Sequence, residues 1–135
     1  MRKYVLVTLA LTVVGLFAVN AAPAFACASY SPGYWMNHTE WSGGGIWVGG
    51  NWYYTADALR WMQTPPRGDK SITAFFITTA AALDVYQSWG DDRTAWFAAA
   101  NAWVAANPPG SGVGGSSAAW QEIEPVMMLL SSTFE

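Results

Sequence analysis

The stretch Asp69-Lys70-Ser71-Ile72-Thr73-Ala74-Phe75-Phe76-Ile77-Thr78-Thr79-Ala80-Ala81-Ala82-Leu83-Asp84-Val85-Tyr86-Gln87-Ser88-Trp89-Gly90 decides the fold. Ile72, Phe75, Phe76, Thr79, Leu83 and Tyr86 recur at spacings of three and four, the buried stripe of an amphipathic helix. Asp69 is placed to cap the helix and Ala80, Ala81 and Ala82 let neighbours pack closely. The pattern predicts a helix from Asp69 to about Trp89, ended by Gly90 as a left-handed residue. Phe76 is expected at the centre of the core.

Outward from this helix the same punctuation recurs. On the N-terminal side Thr55 is placed to cap a helix carrying Leu59, Trp61 and Met62, and Thr64-Pro65-Pro66 stops it because proline cannot continue a helix. On the C-terminal side Asp91 or Asp92 opens a third helix to Ala106, with Trp96, Ala99, Ala100 and Trp103 inward. Residues 110–117 read as a mobile Gly/Ser linker. Ser116 or Ser117 then caps a last helix to about Ser131, in which Pro125 predicts a kink or a break. Before Thr55, Ile46-Trp47-Val48 and Trp52-Tyr53-Tyr54 flank Gly49-Gly50-Asn51, the composition of a short hairpin. The fold class is mainly α: a small domain of about four helices (55–135) behind an irregular, aromatic N-terminal lobe (27–54) that contains the hairpin.

The first 26 residues read as a secretory signal peptide: Arg2 and Lys3, an uncharged apolar run from 5 to 18, then Ala24-Phe25-Ala26 as a small-x-small cleavage site. The apolar run is short for a membrane span, which is the competing reading. Cleavage before Cys27 leaves one secreted domain, 27–135. In it Arg60, Arg67, Lys70 and Arg93 face nine acidic residues, so no basic patch exists to neutralise phosphates and nucleic acid is not an expected partner. Cys27 is the only cysteine. A lone cysteine in an exported chain points to an intermolecular bridge, a lipid or a spare thiol; a bridge is the expectation, and membrane attachment would follow only from lipidation of Cys27.

One further stretch is dense in polar and aromatic groups: Ser31-Pro32-Gly33-Tyr34-Trp35-Met36-Asn37-His38-Thr39-Glu40-Trp41. It holds the only histidine. From it Tyr34, Trp35, Asn37, His38, Glu40 and Trp41 are the candidate signature or binding residues. The chain resembles a family of secreted bacterial proteins marked by a Gly-Tyr-Trp-Lys-Asn-His-Pro-Glu signature, matched here by Gly33 to Glu40 with Met36 in place of the Lys and Thr39 in place of the Pro. Val48-Gly49-Gly50, Tyr54-Thr55 and Thr64-Pro65-Pro66-Arg67-Gly68-Asp69 are similar to further segments of that family. The resemblance implies a secreted or cell-surface domain, sometimes attached to larger surface proteins, and no defined activity.

The residues themselves allow three functions. The first is a non-enzymatic structural or adhesion protein that self-associates at or outside the cell surface. The export signal, the lone Cys27 and an aromatic excess (nine Trp in 135 residues) beyond the needs of one core all point there. The second is a carbohydrate-binding module, with Tyr34, Trp35, Trp41, Trp47 and Trp52 stacking on the sugars of a surface glycan and Asn37 and Glu40 taking hydroxyls. The third is a hydrolase in which His38 acts as base, oriented by Glu40 and activating Ser29, Ser31 or Ser42; no nucleophile elbow supports it. His38 and Glu40 supply at most two metal ligands without a second His or a Cys pair, so neither a metal nor a cofactor is expected. A structural role for His38, bonded within the protein and holding its loop, is the plainest reading.

Overall fold

The computed structural model describes residues 30–84 and 90–134. The expected leader, Cys27 and Ser29 lie outside the described residues, as do Tyr86 and Trp89 and with them the expected end of the central helix. In chain order the elements are α1 (Pro32–Asn37), a 3-10 turn (Ser42–Gly44), β1 (Gly45–Val48), β2 (Asn51–Tyr54), α2 (Thr55–Gln63), α3 (Lys70–Leu83), α4 (Asp91–Ala106) and α5 (Ala118–Ser131). The described residues are mainly helical, with one short hairpin near the aromatic N-terminal part.

α3 is the centre. The Asp69 carboxylate accepts the Ser71 N–H at 3.0 Å and opens the helix as expected. α1, α2, α4, α5 and β1 all pack on it. Ile72, Ala74, Phe75, Ile77, Thr78 and Ala80 to Ala82 are all buried, so burial runs almost round the helix rather than along one stripe. The fully buried ring is Phe75, which meets Tyr53 edge-on at 4.9 Å. Phe76 is only half-buried, which corrects the sequence expectation: its side of the helix opens onto a groove lined by Met36, Met62 and the Pro65-Pro66 turn.

α4 and α5 close the other side. Gly90, extended at φ −70°, ψ 162°, caps α4 and is not a left-handed terminator; Asp91 and Asp92 fall in the first turn, where the helix dipole favours them. Arg93, Ala100, Trp103 and Val104 face inward, Trp96 is half-buried and Ala99 is exposed. Ser117 caps α5 by accepting the Trp120 N–H. Trp103 Nε1 donates to the Ala119 carbonyl at 2.9 Å, tying α4 to the start of α5. α5 runs unbroken through Pro125. Pro125 is exposed, so the carbonyl its missing N–H would have served, that of exposed Gln121, is left to water.

The segment 110–117 is ordered, against expectation. Ser71 Oγ accepts the N–H groups of Gly110 and Ser111, both at 3.1 Å, and Asp69 accepts those of Gly112 and Val113, both at 3.0 Å. The Lys70 N–H answers with a 2.7 Å bond to the Val113 carbonyl. Glycine-rich backbone is floppy only when its polar groups have no protein partner.

Candidate functional site

The signature stretch begins as a helical turn rather than an irregular loop. Ser31 Oγ accepts the Tyr34 N–H at 3.3 Å, and Pro32 sits at the first helical position, where its missing N–H costs nothing. Ser-Pro was the available signal. The turn ends at His38, whose N–H and Nδ1 both reach the Tyr34 carbonyl, at 2.9 and 2.8 Å. A carbonyl only accepts, so Nδ1 carries a proton. The Tyr34 ring is stacked between Tyr30 at 3.9 Å and His38 at 3.8 Å.

Two of the candidate residues point inward and hold the segment. Trp41 is 6% exposed, and its indole N–H is shared between the carbonyls of His38 at 3.0 Å and Trp35 at 3.4 Å. Trp35 packs against the core. Asn37 donates to the Gly33 carbonyl at 2.8 Å, within its own turn. Asn37, His38 and Glu40 are exposed, and among the described residues no hydrogen bond or ion pair joins His38 to Glu40. Ser31 is engaged as the cap and Ser42 opens the next turn. No cluster of three metal-ligating side chains occurs among the described residues.

Beneath α1 lies a pair that sequence reasoning missed. Asp84, at the end of α3, and Arg93, in the first turn of α4, approach to 3.6 Å with both side chains buried. Burial pushes the Asp84 carboxyl up to about 6; Arg93, the Tyr30 backbone N–H and the Trp35 indole N–H pull the other way. These N–H groups stand beyond formed hydrogen bonds, since neither Asp84 oxygen nor Trp35 Nε1 has a bonded partner. A charge set among the apolar positions of the central helix was the signal available.

The second surface is the hairpin. Gly49 and Gly50 both have positive φ, 58° and 76°, which a two-residue primed turn demands. The register pairs Ile46 with Tyr53 and Val48 with Asn51 on one face, Gly45 with Tyr54 and Trp47 with Trp52 on the other. Val48 is fully buried and Tyr53 rests on Phe75, so the first face is the inner one. The tip is fixed as well: the Gly49 N–H donates to Asn101 Oδ1 on α4 at 2.6 Å. The outward face carries Trp47, 63% exposed, Trp52, 36%, and Tyr54, 66%. Trp47 meets Trp52 at 5.5 Å and 62°, and Trp52 meets Tyr54 at 6.4 Å and 87°. Of the five aromatics expected to stack on a ligand, then, only Trp47 and Trp52 are exposed. Tyr54 joins them because strands alternate faces.

Beside α1 an apolar groove of about 590 Å³ runs between Met36, Met62, the Pro65-Pro66 turn and Phe76. Met36 makes that wall apolar. No described helix is long and apolar enough to cross a membrane. Comparison with protein-family models, with curated proteins and with solved structures finds no match for this chain.

Proposed function

We propose that the protein is a secreted, non-enzymatic structural or adhesion protein that self-associates at or outside the cell surface, with the outward face of the hairpin as its adhesive face. One observation carries the reading. The hairpin is anchored to the helices by its inner face and by its tip, yet its outer face holds two Trp and a Tyr in water. Such contiguous aromatic surface is what contact sites are built from, and it is a liability on a chain with no partner.

Other features support the reading. His38 Nδ1 is engaged with a backbone carbonyl, and no hydroxyl or carboxylate among the described residues bonds to its ring. Met128 and Leu129, exposed on the outer side of α5, form a separate apolar set available to a second copy. The resemblance at Gly33 to Glu40 adds an exported setting, and Cys27 adds a thiol suited to bridging two chains.

Sedimentation velocity of the exported chain over a concentration series tests the proposal, with and without reductant. Species larger than the monomer should grow with concentration and shrink in Met128→Ser/Leu129→Ser. A folded protein that stays monomeric throughout, with or without reductant, defeats self-association.

A further inference from the structure

We infer that the outward face of the hairpin takes a neutral glycan, a chain of uncharged pyranose rings with mostly equatorial substituents, and not a second copy of this chain. The inference rests on the adhesion reading and names the partner of its face. Three observations lead to it.

The first is area. Scaled by their exposures, the three rings leave about 250–400 Å² of aromatic surface open, taking about 150–250 Å² for each aromatic side chain. Two copies meeting through this face would bury about 500–800 Å² in all, well under the ~1,200–2,000 Å² of a stable protein interface. The same area is ample for a few sugar rings.

The second is charge. Between Glu40 and Asp57 the chain carries no charged side chain, and Asp57 itself is 3.4 Å from Arg60. The two strands and their turn therefore offer an anionic ligand no cation and a cationic one no carboxylate. What the face does offer is two indole N–H groups and a phenol hydroxyl, which suit hydroxyl partners.

The third is shape. Trp52 lies on the backbone of Gly45: a Cβ there would come within 2.6 Å of its ring. Trp47 and Tyr54 are turned at 62° and 87° to that ring. One ring laid on the sheet with two turned up beside it can stack the apolar C–H face of a pyranose and flank its rim. Equatorial substitution is what leaves that sugar face flat.

Titration calorimetry of the full exported chain with cellohexaose and chitohexaose tests this, with polygalacturonate as the charged control. Saturable binding of a neutral hexaose is expected. Trp47→Ala should weaken it about tenfold, which corresponds to about 1.4 kcal/mol. Trp47→Phe should retain most of it and Met128→Ser all of it. Tyr54→Ala supplies a second variant at the end of the strand should Trp47→Ala fail to fold. No binding of either hexaose by folded protein, equal binding of polygalacturonate, or binding indifferent to both hairpin variants overturns the inference. If the hexaoses fail and Trp47→Ala instead dissolves larger species in the centrifuge, the face is a contact between copies: the glycan falls and the adhesion reading stands. If the hexaoses fail and Trp47→Ala leaves assembly unchanged, the glycan and the adhesive role of this face both fall, whereas self-association through Met128 and Leu129 stands or falls by the centrifuge.

Discussion

Asp69 accepts the backbone N–H of Val113 at 3.0 Å, 44 residues further along the chain. The same carboxylate caps α3 and holds Gly112, so one side chain fixes both the start of the central helix and the loop that leads into α5. Burial raises the Asp69 pKa, but the bonds from Ser71, Gly112 and Val113 outweigh it, and the net shift is downward. Asp69→Ala should therefore cost about 2–4 kcal/mol, a lost cap plus charge-assisted bonds. Its contribution is present above the ordinary carboxylate pKa and is lost as pH falls through the lowered folded value. Urea denaturation at pH 7 checks the loss, and hydrogen exchange at Gly112 and Val113 should speed up in the variant. Unchanged protection there would mean that the loop is held by something else.

Asp84 has the opposite pH signature. Burial raises its pKa from 3.8 to about 6 despite Arg93. Over that window the native state keeps a proton that the unfolded chain has lost. Stability from this group is thus full below pH 3.8 and declines as pH rises to about 6, by on the order of 3 kcal/mol. The wild-type urea midpoint should be higher at pH 4.5 than at pH 7, and Asp84→Asn should flatten that difference. An equal slope in Asp84→Asn would show that another group is responsible.

Much of the architecture was legible because its signals are local. Gly49-Gly50 between β-prone runs fixes the hairpin, and Asp69, Ser117 and Pro65-Pro66 mark helix ends without help from the rest of the chain. What was not legible depends on distant partners. Nothing near 110–117 reveals that Ser71 and Asp69 will collect its N–H groups. Nothing near Asp84 reveals Arg93 as its neighbour. The outward set on the hairpin was half-visible: Trp47 and Trp52 stood out, but Tyr54 joins them only once the register is known. Trp35 and Trp41 look the same as those residues in composition and differ only in what packs over them.

The two adjacent phenylalanines of α3 should separate cleanly. Phe75 is fully buried against Tyr53, and Phe76 lines the groove beside Met36. Phe75→Ala should cost about 3–5 kcal/mol, and Phe76→Ala less because part of its surface is already in water. Denaturation midpoints of the two variants check the order. Equal losses would mean that the groove closes over Phe76 in solution.

The signature segment gives the last contrast, between His38 and Trp41. The sequence suggested that His38 is bonded within the protein and holds the loop. In the structure His38 and Asn37 are exposed, and each bonds a carbonyl within its own turn. A carbonyl that loses such a partner can turn to water, so His38→Ala and Asn37→Ala should each cost about 1 kcal/mol or less. Trp41 is different. Its ring is in the core, and its N–H joins the carbonyls of Trp35 and His38, closing the turn from inside. Trp41→Ala should cost about 3–5 kcal/mol and should release α1, exposing Trp35 and with it the buried Asp84. Trp41→Phe, which keeps an aromatic ring of smaller volume but not the N–H, should recover part of the stability. Thermal melts of the four variants decide the matter. A His38→Ala loss as large as that of Trp41→Ala would place the anchor of the segment on its surface, and would restore the histidine as the residue to explain.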